Sequence, residues 1–161
     1  MIRWLKIIFV VGIAVWGLIG TLGNLLSLDA AYKSVEQVTS MEWMADGVGP
    51  PWRTTSPVVI GMGVALIILG KLAAAVMCSI GAVTMIKSVG RDAASFQTSK
   101  RFAIVGAGAA VFMLFFGFTV IGETAYLMFF EPYLVGAADA AWRYGGFIGL
   151  IMLFLAQPEP A

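Results

Sequence analysis

Four long apolar runs separated by short polar stretches set the pattern of the chain, at about residues 4–26, 57–86, 102–130 and 140–156. A helix needs about 20 consecutive apolar residues to cross the hydrocarbon of a bilayer. The first three runs exceed that length and the last lies near its lower limit. The pattern predicts an all-α membrane protein, a four-transmembrane-helix bundle forming one domain over residues 1–161. The connections are an outer loop, 27–56, and a basic connector, 87–101.

Within the outer loop, Ala31, Val35, Val38, Met41 and Ala45 recur at helical spacing, opposite Lys33, Glu36, Gln37 and Ser40. This predicts a short helix from Asp29 through about Ala45, lying in the membrane interface. The stretch Gly47-Val48-Gly49-Pro50-Pro51-Trp52-Arg53 must be irregular, because two prolines deny a helix its hydrogen bonds. Pro57 suits the first turn of the second span, and Pro132 is expected to stop the third. Trp4, Trp52, Arg53, Trp142 and Arg143 are the expected interface anchors.

Glycines punctuate the spans, and small residues let helices approach closely in lipid. The glycines expected at helix contacts are Gly12, Gly17, Gly20, Gly106, Gly145 and Gly149, with Gly23 also on the first span. Basic residues give the orientation. Arg3, Lys6, Lys87, Arg91, Lys100 and Arg101 fall on one side, against Lys33, Arg53 and Arg143 on the other. The excess of Lys and Arg on cytoplasmic loops then predicts both termini and the 87–101 connector in the cytoplasm.

Composition agrees with the membrane class: 60% of residues are hydrophobic, 12% are charged, and the mean hydropathy is +0.94. Soluble domains carry about 25% charged residues. The net charge of +1 argues neither for nor against an anionic partner, and the lack of a basic patch with interleaved aromatics sets nucleic acid aside. Arg3 and Lys6 precede an apolar run, but that run exceeds a signal-peptide core and no Ala-x-Ala site follows it. The segment reads as a membrane anchor.

The chain has no histidine. That removes the usual haem ligand, the commonest zinc ligand and the commonest general base. No catalytic, cofactor-binding or metal-ligating set is expected, and no cofactor. Cys78, the single cysteine, falls inside the second span and reads as a small packing residue.

Two charges interrupt the spans. Lys71 lies roughly 20 Å into the second, at 1.5 Å per residue, and Glu123 lies near the outer end of the third. Charges at that depth are costly and need a partner or a purpose. If the two helices are antiparallel neighbours, Lys71 leans outward and Glu123 inward, each toward the other. Lys71 and Glu123 are thus a candidate intramembrane pair, whose first reading is structural and whose second is an ion path. Pairing with a different protein chain stands beside these.

Several short motifs carry a resemblance. They are Asn24 with Asp29, Trp52-Arg53, Cys78-Ser79-Ile80-Gly81-Ala82, Phe96 with Lys100, Gly122-Glu123 with Met128, and Ala141-Trp142-Arg143-Tyr144. In these the chain resembles the DUF2165 family of predicted small integral membrane proteins of bacteria, over nearly its whole length. It departs from the family pattern at Thr124-Ala125, at Leu134-Val135-Gly136-Ala137 and at Lys71, where the family carries an acidic residue. The resemblance implies four helices and a bacterial inner membrane, and no activity.

The expectation is therefore a non-catalytic accessory or structural subunit of a larger inner-membrane complex, with respiratory and photosynthetic assemblies as examples. The alternative is a small transporter or channel that uses Lys71 and Glu123. A lipid- or quinone-directed enzyme comes third, because it would need Glu131, Asp139, Arg53 and Arg143 to converge. Expected partners are that larger membrane complex and lipid, with a quinone as a further candidate.

Overall fold

The computed structural model describes residues 1–45 and 49–159, and the predicted irregular positions Gly47 and Val48 lie outside that range. The helices are α1 (Ile2–Leu26), α2 (Leu28–Ser40), α3 (Pro57–Ser88), α4 (Ala93–Ser99), α5 (Arg101–Phe112) and α6 (Pro132–Ala156). Between α5 and α6 come a π-helix, Met113–Ala125, and a 3₁₀ turn, Met128–Phe130. The fold is an all-α bundle with four helices long and apolar enough to span a membrane.

Helix α3 is the central post. At about 48 Å for its 32 residues it is the longest α-helix in the fold, and it packs α1 on one flank and α5 on the other. Both seams are built from small residues. A methyl group placed at Gly17 would lie 2.7 Å from the Lys71 carbonyl oxygen and 2.8 Å from the Ala75 nitrogen. One at Gly81 would lie 2.5 Å from the Ala103 nitrogen, and one at Gly106 would lie 2.7 Å from the Cys78 sulfur. Only glycine permits backbones to come this close, and dispersion across the close contact is what joins helices in lipid.

The seam between α1 and α6 is of another kind. Aromatic rings bridge it: Phe9 meets Phe154 edge-on at 6.3 Å, and Trp16 meets Tyr144 at 5.7 Å. The buried core runs along the two tight seams, through Ile7, Val10, Ile13, Ala74, Cys78, Ala82, Ala103, Ala107 and Ala110. A smaller cluster beside α2 joins Met128, Leu134 and Ala138 to Val38, Trp43 and Phe118.

Several boundaries differ from the sequence reading, each for a local reason. The interfacial helix stops at Ser40 rather than near Ala45. Met41 there turns left-handed (φ 51°) and is fully buried, and the Thr54 N–H donates to the Thr39 carbonyl. The third span ends at Ala125, not Phe130. Its C-terminal half is wound as a π-helix, with the Tyr126 N–H and the Thr124 hydroxyl each reaching back five residues, to the carbonyls of Ile121 and Thr119. π-Winding is rare and is mostly confined to single turns, and no residue pattern in 113–125 announces it. The fourth span starts at Pro132 rather than Ala140. Pro132 takes the first helical position, and the Glu131 side chain accepts from the Tyr133 N–H, so proline begins this helix as well as ending the preceding segment.

Candidate functional site

Lys71 faces α1. Its side chain climbs from the Gly17 contact toward the C-terminal end of α1 and lies over Gly20, where an added methyl group would meet its Cδ at 2.9 Å and its Nζ at 3.6 Å. The outward lean is the one expected for a residue on α3. Gly20 is therefore the space that holds the lysine stem. Lys71 remains half-buried, and no described residue offers it a hydrogen bond or a carboxylate.

The Lys71–Glu123 pair is not formed. Among the described residues every ion pair ends on Glu159. Two features separate the residues. Gly70, one position before Lys71, is what faces the third span, where it meets Met113; one residue further turns the side chain by about 100°. Glu123 also sits in the π-helical segment, where the wider winding shifts every face from its α-helical place.

The other expected positions divide. Gly17, Gly20 and Gly106 are close contacts, whereas Gly145 and Gly149 make only ordinary contact with Leu114 and Val111. Gly12 is corrected: it is exposed and has open space around it, as does Gly23. Trp52 does more than anchor, because its indole N–H donates to the Ala125 carbonyl at 3.0 Å and ties the outer loop to the end of the π-helix. Trp4, Arg53, Trp142 and Arg143 are exposed. Trp142 lies about 15 Å along α6 rather than at its mouth. Among the described residues no ion pair joins Glu131, Asp139, Arg53 and Arg143.

The built charge site lies at the opposite end. Lys6 of α1 and Lys100, just before α5, are 2% and 0% exposed. Both reach the Glu159 carboxylate, at 2.5 and 3.0 Å. Lys100 also donates to the Gln157 carbonyl at 2.8 Å. Arg3 places its Nε 3.5 Å from Glu159 and donates through Nη1 to the carbonyls of Val89 and Arg91, at 2.9 and 2.6 Å. Two rings complete the site, Phe96 under the Arg3 guanidinium at 4.9 Å and Phe154 under the Lys6 ammonium at 5.2 Å. The cluster joins α1, the 89–91 turn, the start of α5 and the tail after α6.

Burial alone would push the Glu159 carboxyl up. Hydrogen bonds and charge from Lys6 and Lys100 outweigh it and hold the carboxyl below the usual range. Nearby, Asp92 caps α4. The Ser95 hydroxyl and backbone N–H hold its carboxyl low.

Glu159 is not among the residues that the sequence singles out. A signal was present: Lys6, Val10, Ile13 and Gly17 recur at spacings of three and four, so Lys6 occupies a core-facing position and requires a counter-charge.

The family model described as "Predicted small integral membrane protein (DUF2165)" matches residues 2–158. The chain belongs to the DUF2165 family. No curated protein and no solved structure matches it. The DUF2165 match ends one residue before Glu159, so it takes in Lys6, Lys100 and Arg3 but not the carboxylate that they share.

Proposed function

We propose that this integral membrane protein is a non-catalytic accessory subunit of a larger assembly in a bacterial inner membrane, with both termini cytoplasmic. The observation that carries the reading is Lys71. Its cation sits mid-span in a space that Gly20 provides, and no carboxylate among the described residues answers it. A charge at that depth is costly alone. An acidic side chain on a transmembrane helix of a partner, laid against the α1–α3 seam, would supply the missing charge and seal Lys71 from lipid.

The transporter reading ranks second. It requires a hydrated path through Lys71 and Glu123, which are not joined, and Lys71 lines neither of the two cavities at the inner end.

The test is gentle extraction from native membranes at endogenous levels, native gel separation, and mass spectrometry of what co-migrates. Travel with a defined complex, lost in Lys71→Met, supports the subunit reading. Migration alone, or unchanged co-migration of Lys71→Met, removes Lys71 as its basis. Migration alone also moves the weight to transport.

A further inference from the structure

The inner-end cluster holds three cations, Arg3, Lys6 and Lys100, against one carboxylate among the described residues, Glu159. Among these described side chains the cations outnumber the carboxylate by two. Lys6 and Lys100 are sealed inside, whereas Arg3 is partly exposed and lines an open niche of about 440 Å³ with Met1, Ile2, Trp4, Val89 and Glu159.

The guanidinium is held in place. Nη1 is fixed by the Val89 and Arg91 carbonyls, Nε faces Glu159, and Phe96 lies under the plane. Of its five N–H donors, the two on Nη2 have no acceptor among the described residues. A rigid fork with free donors is the arrangement that binds phosphate oxygens.

Depth and lining identify the source of that phosphate. Helix α1 spans about 37 Å, longer than the roughly 30 Å hydrocarbon core, so its first turn reaches headgroup level. Trp4, half-exposed in that turn, suits the same level. Ile2, Trp4 and Val89 give the niche an apolar wall, which suits a glycerol backbone and the first acyl methylenes. A soluble phosphate gains nothing from that wall.

We propose that this niche binds the headgroup of an anionic phospholipid, with phosphate oxygens on the Nη2 edge of Arg3. The excess positive charge behind Arg3 selects a headgroup without its own cation, so phosphatidylglycerol is preferred over phosphatidylcholine. The proposal does not depend on the accessory-subunit reading.

The experiment is native mass spectrometry of the full chain in neutral detergent, with phosphatidylglycerol and phosphatidylcholine supplied in equal amounts. Phosphatidylglycerol is expected to be retained about five- to tenfold better, with the preference shrinking as ionic strength rises. Arg3→Gln should abolish the preference, and Arg101→Gln, an equal charge loss outside the niche, should leave it intact. Should Arg3→Gln not fold, Arg3→Lys carries the test: it keeps the charge, loses the fork and should weaken the preference at least twofold. Equal retention of the two lipids, or equal losses in the Arg3 and Arg101 variants, overturns the proposal. So does displacement of the lipid by soluble glycerophosphate at matched concentration, which would make a free phosphate the ligand.

Discussion

Two lysine environments divide this bundle. At the end of the bundle that carries both described termini, Lys6 and Lys100 are almost wholly withdrawn from solvent, and each donates to Glu159. In mid-span Lys71 is less buried, yet it has no partner within the described chain. Degree of burial therefore does not separate a structural charge from a candidate functional one. The separating property is whether the fold itself answers the charge. The charges of Lys6 and Lys100 are answered within the described chain, and that of Lys71 is not.

The largest expected effect comes from breaking the closed site. Glu159→Gln leaves three cations facing a neutral amide, and removing one partner of a buried pair costs about 3–5 kcal/mol. Thermal unfolding in detergent should show a large drop in Tm; an unchanged Tm would mean that the tail does not hold the bundle. Lys100→Met should fall in the same direction.

Closing the Lys71 space comes next. Gly20→Leu forces the lysine stem out of its seat and overpacks the α1–α3 seam, at about 1–3 kcal/mol. A Tm equal to that of the unaltered chain would show that Lys71 does not lie over Gly20.

Acid probes the same contrast through a single group. The Glu159 carboxyl titrates below its ordinary value of 4.5. Its contribution to stability is therefore fully present above that value and is lost as pH falls through the lower folded one. Stability curves should fall in that window for the unaltered chain and for Lys71→Met. For Glu159→Gln this part of the fall should be absent; an identical acid fall in all three would locate the responsible carboxyl elsewhere.

Lys71→Met should be smaller and of opposite sign to Lys100→Met. In the isolated chain it removes a cation with no described partner, so Tm should hold or rise by an amount worth about 1 kcal/mol. A loss comparable to that of Lys100→Met would reveal an internal partner and erase the distinction. The smallest effect belongs to Gly12→Leu, which has open space to occupy and should stay within about 0.5 kcal/mol.

Much of the architecture was legible because the signals are local. Apolar length marks the spans, the helical spacing of Val35 and Val38 marks α2, and the abundance of glycine in the spans points to Gly17, Gly20 and Gly106. The outward lean of Lys71 follows from backbone geometry alone. What escaped depends on distant partners or subtle winding. Nothing in 113–125 distinguishes a π-helix from an α-helix, so the face of Glu123 could not be assigned. Gly12 looks like a contact glycine by composition, and only packing shows that nothing stands opposite it. Glu159 is one acidic residue in a proline-bordered tail, and its role exists only once two lysines far away in sequence converge on it.

The tail clamp also has a timetable. Lys6 and its carboxylate are 153 residues apart, and chains grow at about 5–20 residues per second, so the lysine emerges some 8–30 s before its counter-charge is made. Throughout that interval the first helix carries an unanswered cation on its core face. The Lys6–Glu159 bond brackets all four spans, so it can form only after α6 has been made, whereas the α1–α3 seam can close much earlier.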